Sequence, residues 1–148
     1  MDTDTEVKQI KELACKLSSD IVTYAVEKQR GIPLRTSDYY LKNVRIAVDY
    51  LLERHQVEFM NIAKKFSGIQ PICEGFARSA DKMFEDEVYN WWRIFTLYAC
   101  AACLADLCAE RRDGANLVKK LGETLGRYTS DNLTGWIFSQ GGWVRLPT

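Results

Sequence analysis

The chain has 148 residues, 47% of them hydrophobic, and its 20 Lys and Arg residues balance its 20 Asp and Glu residues. That length and apolar content fit one domain, residues 1–148, with a single buried core. A formal net charge of zero removes the electrostatic argument for nucleic acid, or an anionic membrane, as the main partner.

The opening residues MDTDTE are acidic and polar and contain no signal-peptide pattern. Thr3-Asp4-Thr5-Glu6 has the form of a capping box and predicts a helix start. Val7, Ile10, Ala14, Leu17, Ile21 and Tyr24 then recur at steps of three and four, one face of an amphipathic helix. Gly31-Ile32-Pro33 ends it. Thr36, Ser37 or Asp38 is placed to cap a second helix, on which Leu41, Val44, Val48, Leu51 and His55 share a face. Phe59, Ile62, Ala63 and Phe66 form a shorter stripe before Ser67-Gly68. Pro71 suits the start of a fourth helix, continued by Phe76, Ala80, Met83 and Phe84. Asp86 and Glu87 are expected to complement the positive end of the helix that follows.

That fifth stretch, Asn90 to Cys108, organises the rest. From Ile94 to Ala105 it carries no charged residue, and only Thr96 and Tyr98 bring polar groups. A helix that is apolar on every face is buried all round, and this run is too short to span a bilayer. Ala99, Ala101, Ala102 and Ala105 let neighbouring helices approach closely. Asn90-Trp91-Trp92-Arg93 should emerge at the surface. Asp113-Gly114 makes a turn into a sixth helix carrying Leu117, Leu121, Leu125 and Tyr128. Asp131 is placed to cap a short seventh helix around Trp136, which Gly141-Gly142 breaks before Trp143. With no strand alternation, repeat or linker, the fold class is all-α: seven or eight helices around a buried central one.

Phe84 to Ala102, FEDEVYNWWRIFTLYACAA, resembles the first homology motif of the Bcl-2 family, Asn-Trp-Gly-Arg ahead of a buried helix with two small residues. Asn90, Trp91 and Arg93 match directly, Ala101 and Ala102 stand where the family has a Gly pair, and Trp92 replaces the family Gly. Trp136-Ile137 followed by Gln140-Gly141-Gly142-Trp143 resembles the second homology motif. In its short connection between the first two helices the chain looks most like viral homologues, as carried by iridoviruses and poxviruses. The resemblance implies a Bcl-2-like bundle that inhibits apoptosis by sequestering the BH3 helices of pro-apoptotic proteins, Bim-like helices first, with Bak and Bax as further candidates. It implies no cofactor, metal or catalysis.

The residue roles that follow from the resemblance are these. Arg93 meets the Asp of an incoming BH3 helix, using the guanidinium as a rigid fork, with Asn90 and Trp92 beside it. Leu51, Phe59, Ile62, Phe76 and Met83 align with groove walls and floor, although from the residues alone they serve equally as core. His55 aligns with a groove-lining position and otherwise reads as a surface histidine. The second helix aligns with the family's own BH3 region, Leu-x-x-x-Gly-Asp. Leu41 matches, but Arg45 and Ile46 stand at the Gly and Asp positions, which makes the chain a poor BH3 ligand. That favours a receptor over the alternative, a pro-apoptotic pore-former of the same fold. Trp92 either narrows the groove, lies exposed, or is tucked into the core by local backbone adjustment; the first two give the expectation of a narrow ligand range, with a homodimer partly covering the groove as a companion expectation.

A second alternative comes from a different class. Cys100-Ala101-Ala102-Cys103 is formally a C-x-x-C and would suit a cytosolic thiol or metal protein. The pair falls in mid-helix, however, whereas a reactive thiolate favours a helix N-terminus. A zinc site wants four ligands, and the chain has one histidine and no second C-x-x-C. Five cysteines, most in apolar surroundings, fit buried thiols in a reducing compartment. Phosphate-loop, H-E-x-x-H and G-x-S-x-G motifs are absent. The polar ends lead to the expectation of a cytosolic protein without a membrane anchor, reaching mitochondria through its partners.

Overall fold

A computed structural model describes residues 2–32 and 34–144. Seven α-helices and no strand occur among them: α1 (Thr3–Gln29), α2 (Tyr39–Arg54), α3 (Gln56–Ser67), α4 (Ile72–Met83), α5 (Trp91–Ala109), α6 (Gly114–Asn132) and α7 (Thr134–Ser139). The expected Pro33 stop and the Leu146-Pro147-Thr148 end lie outside the described residues.

The apolar run of α5 forms the axis of the bundle. Ile94, Phe95, Leu97, Tyr98 and the alanines from Ala99 to Ala105 are buried, and α1, α2, α3 and α6 all pack on this helix. Its one deeply buried polar group is satisfied on both sides. Ser18 Oγ of α1 donates to the Tyr98 hydroxyl at 3.0 Å, and that hydroxyl lies 3.0 Å from Thr129 Oγ1 of α6. Burial pushes the phenol up to about 12, so it stays protonated and keeps its hydrogen to share. α1 and α6 meet beside it through glycine. A Cβ at Gly122 would come within 3.0 Å of Val22, and one at Gly126 within 3.3 Å of the Cys15 backbone.

The helix ends follow local chemistry, with two departures from expectation. At α1 the cap is Asp2, whose carboxylate accepts the Asp4 N–H at 3.2 Å, and Thr3 is already helical. A carboxylate one residue earlier out-competes the Thr hydroxyl for the positive helix end. Asp38 caps α2 by accepting the Leu41 N–H at 3.0 Å. Asp131 caps nothing: α6 runs through it to Asn132, and Leu133 precedes α7 without a side-chain cap. Instead Thr134 Oγ1 donates back to the Ser130 carbonyl at 2.7 Å and carries one helix into the next. Gly141 and Gly142 end α7 at φ +88° and +113°, a region open to glycine, and the chain returns so that Trp143 Nε1 donates to the Ile10 carbonyl of α1 at 3.2 Å.

α2 is latched to α1 by a group whose burial its sequence position did not announce. Arg45 is buried. Its Nε and Nη2 donate to the two Asp20 carboxylate oxygens at 2.8 and 2.6 Å, its Nη1 donates to the Leu34 carbonyl, and its plane lies 4.7 Å from the Tyr24 ring centroid. One turn on, Asp49 accepts from the Tyr24 hydroxyl at 2.6 Å and pairs with Lys28 at 3.0 Å. Removing one partner from such a pair leaves the other desolvated and unpaired. Arg45→Ala should therefore lose about 3 kcal/mol of unfolding free energy, measured by denaturant titration, with a smaller loss for the exposed Lys16→Ala.

Candidate ligand groove

The N-terminus of α5 is set by Asn90, whose backbone is extended and whose Oδ1 accepts the Arg93 N–H at 2.9 Å. Asn90 thus acts first as the helix cap. Successive residues then point about 100° apart around the axis, which separates the two tryptophans. Trp91 turns inward, 5.0 Å from Trp136 and 5.8 Å from Trp143 between ring centroids. The two stretches that carry the resemblance in sequence are therefore in contact. Trp92 turns outward, 55% exposed, and leans on Tyr50 of α2 at 5.9 Å and Phe95 at 6.1 Å. It stands outside the core and bridges α5 to α2.

Arg93 is held by the turn that leads into its own helix. Its Nη1 and Nη2 donate to the Asp86 carboxylate at 2.7 and 3.1 Å, its Nη1 also donates to the Val88 carbonyl, and the Phe84 ring lies 5.7 Å away. Asp86 Oδ1 accepts the Val88 N–H at 3.1 Å, and Glu87 between them sits at φ +58°. The Arg93 guanidinium, with help from the Val88 N–H, holds the Asp86 carboxyl below the usual carboxylate range. Asp86 and Glu87 were expected to complement the α5 dipole; the first instead pairs with a side chain and the second makes the turn.

One turn beyond Trp92, Thr96 donates from Oγ1 to the Trp92 carbonyl at 2.7 Å and faces a recess of about 230 Å³. Leu51, His55, Glu58, Phe59 and Ile62 complete its lining. The structure therefore gathers Leu51, His55, Phe59 and Ile62 into one apolar recess between α2, α3 and α5. Thr96 and Glu58 join the recess without having been assigned to it, and nearby Tyr50 contacts Trp92 and Asp86 pairs with Arg93, roles the sequence had not given them. Thr96 was detectable as the polar residue four positions past Trp92, and Glu58 as the residue one turn after His55. Two expected members do not join. Phe76 is 1% exposed and packs edge-on against Phe66 at 6.2 Å; it supports α4 from beneath and offers no surface. Met83 is half-buried against the core. A stripe at helical spacing marks the buried face of a helix; on α4 that face takes Phe76 and Ala80 inside and leaves Met83 at its margin.

A second hollow, about 360 Å³, lies between α1, α2, α3 and the later turns of α5. It shares Phe59 with the first, and Cys103 and Asp106 stand on its wall. Burial raises both groups above their ordinary values.

Comparison with known proteins places this geometry. The family model described as apoptosis regulator proteins, Bcl-2 family, matches residues 44–143. A sequence search of curated proteins returns no significant match. Among solved structures, the chain is similar to a zebrafish pro-survival protein, NRZ, in complex with a Bad BH3 segment: TM-score 0.84, 17% identity, covering 94% of this chain and 93% of that one. Chicken BOK gives 0.70 and 22%, covering 93% and 94%. A Trichuris suis BCL-2 gives 0.75 and 23%, covering 97% and 91%. At these identities the structural likeness concerns the fold.

The cysteines stand apart from the recess. Cys100 and Cys108 are buried, Cys73 and Cys103 half-buried, and Cys15 exposed. Burial, with Cys103 adding a little, pushes the Cys100 thiol up to about 12, and burial also raises Cys108. A thiol reacts as its thiolate. A thiol reagent at neutral pH should therefore modify Cys15 first and leave Cys100 and Cys108 untouched until the protein is unfolded, as mass spectrometry of timed samples would show. Rapid modification of Cys100 in the folded protein would revive a thiol-based activity.

Proposed function

The chain belongs to the Bcl-2 family of apoptosis regulators, and we propose that it restrains apoptosis by holding the BH3 helix of a pro-apoptotic protein along the face built by α2, α3 and the start of α5. Helix-in-groove recognition needs an apolar recess for anchors repeated every three or four residues, and a polar group that fixes register. The recess lined by Leu51, Phe59, Ile62 and Thr96 supplies the first, and Arg93, one turn before Thr96, supplies the second. That juxtaposition carries the reading. The structurally similar zebrafish protein, solved with a Bad BH3 segment, supports it. Binding removes the partner from circulation and needs no chemistry or cofactor.

The alternative, a pore-former whose α2 is released to act as a ligand, is opposed by the latch on that helix. Freeing α2 would leave Arg45 and Asp20 without each other and break both bonds to Asp49. We take the receptor role accordingly. A viral source is proposed on the short α1–α2 connection alone. We also propose that the protein works from the cytosol; the one helix among the described residues that is long and apolar enough to cross a membrane is α5, most of it enclosed by the bundle.

Trp92 sets the selectivity. With its indole standing proud of α5 and resting on Tyr50, a ligand helix must pass an aromatic step where the family motif has no side chain. We propose a narrow partner range, Bim-like helices first, with Bak- and Bax-type helices binding less tightly. The same exposed pair supports self-association through this face, which light scattering reads directly.

Arg93→Ala should weaken a Bim-type BH3 peptide about ten- to hundredfold, the scale of a charge-assisted hydrogen bond. Calorimetry on the folded variant showing unchanged affinity would remove Arg93 from recognition. Trp92→Gly should broaden the set of peptides bound across a BH3 panel. A wild type that already binds the whole panel tightly, with no change on substitution, would refute the selectivity argument.

A further inference from the structure

We propose that Asp86 is an internal counter-charge that attenuates how strongly Arg93 selects a carboxylate on the incoming helix. This rests on the groove reading above and concerns the same guanidinium. Asp86 and the Val88 carbonyl engage both Nη1 hydrogens and one on Nη2. The Nε–H and the remaining Nη2–H lie along one edge of the planar fork, and that parallel pair is the geometry that accepts a carboxylate in bidentate fashion. Asp86 therefore does not block Arg93; it leaves an edge open and shares the cation. A ligand carboxylate on that edge meets a guanidinium already neutralised by a neighbour of its own sign. The ion pair is partly in water, with side-chain exposures of 29% for Arg93 and 54% for Asp86, so screening keeps the effect modest.

Two features separate this role from simple positioning. The turn that presents Asp86 is built locally, by the Val88 N–H on its carboxylate and by Glu87 at positive φ. The guanidinium is also held without the Asp86 charge, by the Val88 carbonyl and the Phe84 ring. Asp86→Asn keeps an acceptor at Oδ1 for both Nη1 and the Val88 N–H while deleting the charge; its amide nitrogen cannot accept from Nη2, so Arg93 gives up that one bond and keeps its Nη1 contacts.

The experiment uses the full chain, wild type and Asp86→Asn, and two BH3 peptides identical except that one carries Asn in place of its conserved Asp. Calorimetry at low and at physiological salt yields four affinities at each condition. Asp86→Asn should tighten the Asp peptide about two- to fivefold at low salt, less at higher salt, and leave the Asn peptide unchanged. An equal change for both peptides, or weaker binding of the Asp peptide alone, would overturn the counter-charge role and make Asp86 a positioning residue. If the wild type binds neither peptide, the groove reading falls and this proposal with it. If it binds but the charge-specific gain is missing, only this proposal falls.

Discussion

A helix without a charge from Ile94 to Ala105 has to be covered on nearly every side, and the placement of the other helices follows from that need. α1, α2, α3 and α6 each lay an apolar face on α5. Cover of this kind is non-directional, so something must fix how the covering helices are turned. Tyr98 does so at the centre: its hydroxyl reaches Ser18 on one side and Thr129 on the other, and a rotation of α1 or α6 would leave a buried polar group unpaired. Gly122 and Gly126 then let those two helices close on each other beside it.

The recess arises where this cover runs out. At its N-terminus α5 emerges past Asn90, and there the helical rotation sends Trp91 into an aromatic cluster with Trp136 and Trp143 and sends Trp92 to the outside. α2 is fixed by ionic bonds to α1 as well as by packing, so the wall carrying Tyr50 and Leu51 has a definite position relative to Arg93. α3 is short and contributes only Phe59 and Ala63 to the buried set, which leaves Ile62 and the edge of Phe59 available at the recess. An apolar hollow flanked by a held guanidinium is the combination that suits an amphipathic helix with one acidic position.

Much of this was legible in the residues. The run from Ile94 to Ala105 marked the axis because its composition admits no solvent-facing side. Asp38 and Gly141-Gly142 marked helix ends because capping and positive φ are local effects; Ser67-Gly68 marked the end of α3, whereas the capping role of Asn90 emerged from the structure. Leu51 and His55 share one helical face, and Phe59 and Ile62 share another, as the spacing indicates; that the two faces border one recess was what the resemblance implied. For Phe76 the resemblance pointed to the groove while the residues alone served equally as core, and its burial fits the core; periodicity reports which face of α4 is apolar and cannot say whether a groove or the interior covers it. Asp131 was misplaced because a potential cap competes with simple continuation of the helix, and α6 continues. The pairings Arg45–Asp20 and Tyr24–Asp49 join residues 25 positions apart, and a partner at that range is set by how two helices cross. Asp86 lay close to Arg93 in sequence, yet only the turn at Glu87 brings it round to the guanidinium.

The division of the tryptophans gives the molecule an optical property. Of four, Trp91, Trp136 and Trp143 form one cluster, while Trp92 stands exposed at the edge of the recess. Fluorescence from an indole in water lies to the red of that from indoles packed among other rings. Excitation at the red edge of the absorption band therefore favours the one tryptophan that stands beside Tyr50 on the α2–α5 surface, and the unmodified protein carries its own reporter of changes at that surface.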